Sequence, residues 1–183
     1  MNRLVPTIIC SLLLALSVSA ADTNILKNSR TGPFILGAEV SWTQEDEADG
    51  AEYFDHGVKK DLFQILKDYK FNYIRMRVFV DPTSTNGYAR RRSEAFCDLE
   101  HVKKLAARAK AAGMGILLDI HYGDTWTSPG HQDKPVAWQN YNFEQLTQAV
   151  REFTHRCIYA LKTNGTPADM VQIGNEISDG MLF

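Results

Sequence analysis

The sequence has 183 residues, with 20 Lys and Arg against 22 Asp and Glu, and its formal net charge is −2. This balance excludes a strongly basic protein that binds a polyanion, so the three arginines at 90–92 are predicted to form a solvated loop rather than a nucleic-acid patch. The cysteines, Cys10, Cys97 and Cys157, indicate neither a disulfide framework nor a metal-binding spacing.

The first 20 residues have the pattern of a secretory signal peptide. Arg3 precedes an apolar run from Ile8 to Val18, and small residues follow, which predicts cleavage after Ala20, with Ala21 as the neighbouring option. A membrane anchor is the alternative, but the run is shorter than the roughly 20 residues that a spanning helix needs. We therefore expect a secreted or periplasmic protein that has no membrane association after cleavage.

Beyond residue 33, short apolar runs alternate with loops and with segments of helical spacing, which is typical of βα units around a parallel sheet. The predicted strands cover residues 34–40, 73–80, 115–121 and 170–176. The loops that follow the first and third strands are long, whereas the returns from helix to strand are short. Function is therefore expected at the edge where strands end and helices begin.

Three helices are predicted between these strands. The first covers residues 58–69 and places its apolar side chains on one face. The second, residues 98–113, starts at an aspartate cap and ends at a glycine that can adopt the left-handed conformation. The third, residues 142–165, opens with Asn142 and Gln145, which have the spacing of a capping box.

Four side chains of different chemistry fall at or just beyond the carboxyl ends of the predicted strands: Trp42, Arg77, His121 and Glu176. In a parallel sheet these ends meet at one edge, so the four residues are expected to line one cleft. An aromatic ring, two groups that hold hydroxyls and a carboxyl group together suit carbohydrate chemistry, in which a carboxyl group protonates a leaving oxygen.

Glu176 is the candidate proton donor. A carboxyl group shielded by its neighbours at a strand end has a raised pKa, as a general acid near neutral pH requires. The alternative is that Glu176 caps a following helix. Asn175, directly before it, is expected either to bind a sugar hydroxyl or to form a turn.

The three tryptophans, Trp42, Trp126 and Trp138, all fall in the loops after the first and third strands. A pyranose packs its apolar face on an aromatic ring, so loop tryptophans at a cleft can act as sugar platforms. Anchoring in the core is the alternative for each of them.

Neither of two candidate metal-binding patterns is predicted to be a metal site. One loop holds His121, Asp124, His131 and Asp133, but their spacing matches no usual zinc site. The acidic run at 45–50 resembles a calcium loop, but His56 stands where a bidentate acid should close that loop.

Arg75 and Arg77 are charged residues inside an apolar strand and, two residues apart, they lie on the same face. A buried arginine must be paired, so an acid is expected opposite them. Retaining glycosidases place a second carboxylate about 5–5.5 Å from the first, and an arginine beside it would keep it ionised as a nucleophile.

Four segments together resemble glycoside hydrolase family 53, the secreted endo-β-1,4-galactanases. They are GAEVSW, YIRMRVFVDP, AKAAGMGILLDIHYGDTWTSPGHQDKPVAW and VQIGNEISDGML. The resemblance runs from about Leu36 to Leu182 and implies a (β/α)8 TIM barrel. Residues 21–183 would be the N-terminal half of that catalytic domain, with its first four βα units, a truncated half barrel whose exposed sheet edge favours association.

The resemblance also implies roles for single residues. Glu176 would be the general acid/base that follows Asn175 at the end of strand four, and Arg77 would lie beside the nucleophile, with Arg75 below it. The residues that would shape the cleft are His121, Asp124, Trp126 and His131 on the glycone side, and Trp42 as the aromatic after strand one. Gly123 and Glu39 depart from the usual family residues, away from the predicted chemistry.

The family's nucleophilic Glu lies on strand seven, whereas this sequence stops just after strand four. The expected activity is endo-hydrolysis of β-1,4-galactan, a side chain of pectin, with retention and with the polysaccharide as partner. A catalytically inactive piece that binds sugar, or a related enzyme acting on another β-1,4-glycan, are the alternatives. We expect a monomeric complete enzyme and no cofactor, although calcium could belong to the second half.

Overall fold

The computed structural model describes residues 34–183. The predicted signal peptide and residues 21–33 lie outside the described residues. Four parallel strands form one sheet in the order β1-β4-β5-β6, which confirms the predicted sheet. Their bounds are Gly37–Glu39, Tyr73–Val78, Gly115–Ile120 and Met170–Ile173.

Helices connect successive strands of this sheet. They are α1 (Thr43–Ala48), α2 (Leu62–Asp68), α3 (Leu99–Ala111) and α4 (Phe143–Thr163), with a short 3-10 helix at Val136–Trp138. Each strand lies beside the next strand of the sheet in chain order, with helices between them. This is the arrangement of the first four βα units of a (β/α)8 barrel, as the family resemblance implied.

The predicted helix ends are confirmed for α3 and α4. The Asp98 side chain accepts a hydrogen bond from the His101 backbone N–H at 2.8 Å, and Gly113 follows α3 with φ +74°. The side chains of Asn142 and Gln145 each accept a hydrogen bond from the other's backbone N–H at 2.9 Å, which completes the capping box of α4.

The prediction of a helix over residues 58–69 is wrong at its start. Val58–Lys59 instead forms strand β3, which pairs with β2 (Phe54–Asp55) in an antiparallel hairpin. His56 and Gly57 both have positive φ, and this tight turn reverses the chain before α2 can begin. Val58 is 58% exposed and therefore does not belong to the buried helical face.

A short helix, α1, was not predicted. It occupies the acidic stretch that was compared with a calcium loop, so these acids lie along a helical turn. The nearby arginines at 90–92 are all exposed, as predicted, and Arg92 forms an ion pair with Asp49 at 2.9 Å.

The two faces of the sheet differ sharply in polarity. One face packs Ile74, Met76 and Val78 of β4, together with Ile116, Leu118 and Ile120 of β5, against α3 and α4 in the hydrophobic core. Because side chains alternate along a strand, the intervening residues Arg75, Arg77 and Asp119 share the opposite face. The inner face of the sheet therefore carries charges.

Apolar side chains are exposed along the flank of the sheet at β6 and α4. Ile173 is 47% exposed and Tyr159 is 57% exposed, and both line an open groove with Ile158.

Cys97 and Cys157 are buried free thiols, and burial raises the pKa of each to about 12. Within residues 34–183, no helix has the length and apolarity needed to cross a membrane.

The Asp61 side chain caps α2 and also binds Arg108. Its carboxylate accepts from the Phe63 N–H at 2.8 Å and from Arg108 at 2.7 Å. Burial is the largest single influence and raises the pKa of Asp61, but the bonds from Arg108 and from the helix N–H groups outweigh it, so the pKa is lowered. The ionised form is therefore the one that stabilises the fold.

Asp61→Ala should lower the free energy of unfolding by about 1 kcal/mol through loss of the cap. Asp61→Asn keeps the cap and should lose less, about 0.5 kcal/mol, and only at low salt. Because the folded pKa lies below the unfolded one, this charge contribution is complete above the ordinary Asp value of about 3.9 and disappears as pH falls through the folded pKa. Urea denaturation measures these changes, with the exposed Asp46→Asn as control, and an Ala variant as stable as wild type would contradict the cap.

Candidate active site

Arg75 occupies the centre of the inner face and connects three other strands. Its Nη2 donates to Asp119 Oδ2 at 2.6 Å and to Asn175 Oδ1 at 2.8 Å, and its Nη1 donates to Glu39. Its Nε donates to Gln172 Oε1 at 3.3 Å. The acid that the sequence required opposite the arginine pair is therefore present twice, as Glu39 and as Asp119.

His121 is buried beneath the rim rather than exposed in a cleft. Its side chain is fully buried, its Nε2 lies 2.9 Å from Asp119 Oδ2, and its ring packs on Phe79 and Trp126. The Thr127 backbone N–H donates to Nδ1 at 3.1 Å. Since a backbone N–H can only donate, Nδ1 must accept, and the imidazole proton lies on Nε2, the nitrogen nearer the carboxylate.

Arg77 lies between two of the predicted tryptophans. Its guanidinium is 4.7 Å from the Trp42 ring centroid and 4.0 Å from that of Trp126, and its Nη2 is 3.4 Å from Glu39. Burial is the largest influence on its pKa and lowers it, while Glu39 opposes that shift. Its Nε and Nη1 are buried and have no hydrogen-bond partner among residues 34–183.

The three tryptophans have different environments. Trp126 is 42% exposed and covers Arg77, whereas Trp42 is half-buried and packs edge-on against Tyr88. Trp138 is only 7% exposed and belongs to the hydrophobic core, where it packs on Phe153. The sugar-platform role predicted for Trp138 is therefore wrong, and core anchoring is correct there.

Asn175 and Glu176 follow a strand that is shorter than predicted. Strand β6 ends at Ile173, because Gly174 turns the chain with φ +76°. Asn175 is 3% exposed, and its Nδ2 donates to the Thr127 carbonyl at 2.7 Å. The Asn175 amide is therefore held at both ends, by Arg75 and by Thr127.

Glu176 projects from this turn into solvent. It adopts a left-handed backbone conformation with φ +52°, which is rare for residues other than glycine and which concentrates at functional sites. Gln132 Nε2 donates to the carbonyls of Asn175 and Glu176 at 2.8 and 3.3 Å and supports the turn. The side chain is exposed, so the described residues do not provide the shielding that the sequence-based prediction assumed. Residues 177–183 form no helix that Glu176 could cap.

Asp124 and His131 do not join this group. Asp124 is buried, and its carboxylate organises the loops by accepting from the Asp81 N–H, the Ser84 hydroxyl and the Val136 N–H. His131 is exposed in a small turn closed by Ser128. Within residues 34–183, no group of three or more His, Cys, Asp and Glu residues is arranged to hold a metal ion.

Asp119 and Gln132 are part of the site but were not singled out from the sequence. Asp119 is a charged residue inside an apolar strand, as Arg75 is, and this signal could have identified it. Gln132 lies in an irregular loop, where no periodicity indicates which way a side chain points.

The sheet order and the polar group at the carboxyl ends of its strands define a (β/α)8-barrel protein whose candidate site lies on the barrel rim. The family model of glycosyl hydrolase family 53 matches residues 35–183. The chain belongs to glycosyl hydrolase family 53.

The chain is also similar to individual curated proteins. The chain is 40% identical over 151 residues to the "Uncharacterized protein in bgaB 5'region" of Niallia circulans, which covers 82% of this chain and 38% of that protein. It is 36% identical over 168 residues to an arabinogalactan endo-beta-1,4-galactanase of Cellvibrio japonicus, which covers 91% of this chain and 42% of that enzyme. The chain thus spans about two fifths of the length of these curated relatives.

A solved structure shares the fold. It is the GH53 catalytic domain of Ignisphaera aggregans, with a TM-score of 0.75 and 38% sequence identity, and the match covers 84% of this chain and 43% of that one.

The contact between Arg77 and Trp126 can be tested by a double-mutant cycle of Arg77→Met and Trp126→Leu. Because the buried guanidinium lies on the ring face, the coupling energy should be about 1–2 kcal/mol in urea denaturation. The control cycle is Arg156→Met with Phe153→Leu, where the arginine is exposed and lies 4.9 Å from the ring, and about 0.5 kcal/mol is expected. Equal coupling energies in the two cycles would contradict a stabilising contact between Arg77 and Trp126.

Proposed function

We propose that this chain supplies the acid/base half of the active site of a retaining endo-β-1,4-galactanase. The observation that carries the proposal is the Asn175–Glu176 turn at the end of the fourth barrel strand. There a clamped amide precedes an exposed carboxyl group in a strained conformation. The galactanase named among the relatives supports the substrate class.

Glu176 is suited to donate a proton because its carboxyl group is accessible from solvent at the rim. A polysaccharide chain lying along that rim would bring its glycosidic oxygen to this group. The exposed Trp126 offers an aromatic face to a sugar ring, and its neighbour Thr127 bonds Asn175. Substrate would complete the desolvation that a general acid requires.

The second carboxylate of a retaining mechanism would come from a later strand of the barrel. Glu39 and Asp119, the acids of the inner face, both contact Arg75 and are committed to that ion network. Arg77 still has two buried donor atoms without a partner in the described chain. These donors would hold an incoming carboxylate in its ionised form, as a nucleophile requires. No metal or cofactor is needed for this chemistry.

In a chain completed with the remaining barrel strands, Glu176→Gln should lower the hydrolysis of β-1,4-galactan by at least about 1,000-fold while binding remains similar. The leaving group of an activated aryl β-galactoside needs little protonation. Glu176→Gln should therefore slow the first cleavage step of that substrate much less. The matched control is Asp179→Asn, which removes another exposed carboxylate from the same loop.

Reducing-sugar release is the measurement, on β-1,4-galactan beside β-1,4-mannan and cellulose. Normal galactan hydrolysis by the Glu176→Gln variant would refute the assignment of the acid, and preference for mannan or cellulose would refute that of the substrate. The 183-residue chain by itself should be inactive, since it would present one of two required carboxylates. Turnover by that form would contradict the division of the site proposed here.

Export is part of the proposal, because a polymer such as pectic galactan is found outside cells. Its support is the pattern of residues 1–20, with Arg3 before an apolar run and small residues at its end. N-terminal sequencing of the protein from culture medium or periplasm should begin at residue 21 or 22. Retention of Met1 on the mature protein would contradict it.

A further inference from the structure

Asp119 is the most deeply buried charge of the inner face. Its side chain is fully buried on β5, in register opposite Arg77 on one side and Gln172 on the other. One oxygen, Oδ2, contacts both Arg75 at 2.6 Å and His121 at 2.9 Å. A buried carboxylate that serves two neighbours through one atom fixes their positions relative to each other.

The two neighbours lead back to the same residue. Arg75 Nη2, which meets Asp119, also donates to Asn175 Oδ1 at 2.8 Å. His121 accepts from the Thr127 N–H at 3.1 Å, and the Thr127 carbonyl accepts from Asn175 Nδ2 at 2.7 Å. Five residues therefore form a closed ring of contacts, which we call the Asp119 ring: Asp119, Arg75, Asn175, Thr127 and His121.

The chemistry of the ring allows one orientation of each group. Arginine only donates, so the Asn175 oxygen must face Arg75 and its NH2 must face the Thr127 carbonyl. Thr127 donates its N–H to Nδ1, so His121 carries its proton on Nε2, next to Asp119. The imidazole Nε2–H of His121 is not aligned for a hydrogen bond with the Asp119 carboxylate, and the contact is one of charge and proximity.

From this ring we infer that Asp119 is a positioning residue for the candidate acid. It holds Asn175 from both ends of the amide, through Arg75 and through His121 with Thr127, and Asn175 is bonded covalently to Glu176. Displacement of that amide would move the turn that presents Glu176. The kinetic part of this inference rests on the proposed function, whereas the tautomer of His121 does not.

The kinetic test uses the complete enzyme on β-1,4-galactan. Asp119→Ala should lower kcat by about 100-fold, the scale expected when a catalytic group shifts by about 1 Å, with KM changed less than about threefold. Asp119→Asn should recover part of the loss, because its carbonyl oxygen can occupy the place of Oδ2. Asp169→Asn is the control, since Asp169 binds Lys110 and the Ile116 N–H outside the ring and should keep wild-type kinetics.

Combination with Asn175→Ala separates positioning from a general structural loss. If Asp119 acts through the Asn175 amide, the double variant should be no slower than the slower single variant. Additive losses would overturn the inference, as would an Asp119→Ala variant with wild-type kcat. If Asp119→Ala does not fold, His121→Asn opens the ring on the Asp119 side and keeps the buried charge, and the same non-additivity with Asn175→Ala is expected.

An independent readout is the ¹⁵N NMR spectrum of the His121 imidazole in the full chain. We expect the neutral tautomer with its proton on Nε2, and a change in that Nε2 resonance in Asp119→Ala but not in Asp169→Asn. A proton on Nδ1, or a spectrum unchanged in Asp119→Ala, would overturn the ring. An enzyme inactive on galactan with the expected spectrum would refute the proposed function and leave the ring supported.

Discussion

The ion pair between Arg75 and Asp119 is the interaction on which the rest of this structure depends. Each charge lies on the inner face of a sheet whose other face is entirely apolar, and the fully buried Asp119 carboxylate could not be placed there alone. Because their hydrogen bonds reach β1 through Glu39 and the end of β6 through Asn175, the pair ties together all four strands. The same contacts that satisfy the buried charge thus also hold Asn175, which follows the turn at Gly174.

Burial divides the predicted site residues into two kinds. Arg77, His121 and Asn175 are almost fully buried and contact inner-face charges, aromatic rings or Thr127, whereas Trp126 and Glu176 are exposed at the rim. Under the proposed function, the buried residues would hold the geometry of the site without touching the polysaccharide. The exposed residues would meet the polysaccharide. The buried layer would therefore act by fixing the exposed one.

Local signals in the sequence predicted the sheet, the helix caps at Asp98 and Asn142, and the carboxyl ends of the first three sheet strands to within two residues. The predictions were wrong where tertiary contacts, rather than local signals, determine the conformation. Trp138 and Trp126 lie in the same loop, yet one enters the core and the other covers an arginine, a difference that no spacing encodes. Val58 continued a helical pattern, but the turn at His56 and Gly57 diverted it into a hairpin.

Glu176 combines a fixed backbone with a side chain that is open to solvent. Its backbone is fixed by Gly174, by the clamped amide of Asn175 and by Gln132, so its direction is determined within these four βα units. Its dielectric environment is not, because the described residues leave it open to water. The strands described here thus supply the position of Glu176, and whatever closes over the rim, whether substrate or further barrel strands, would supply its shielding from water.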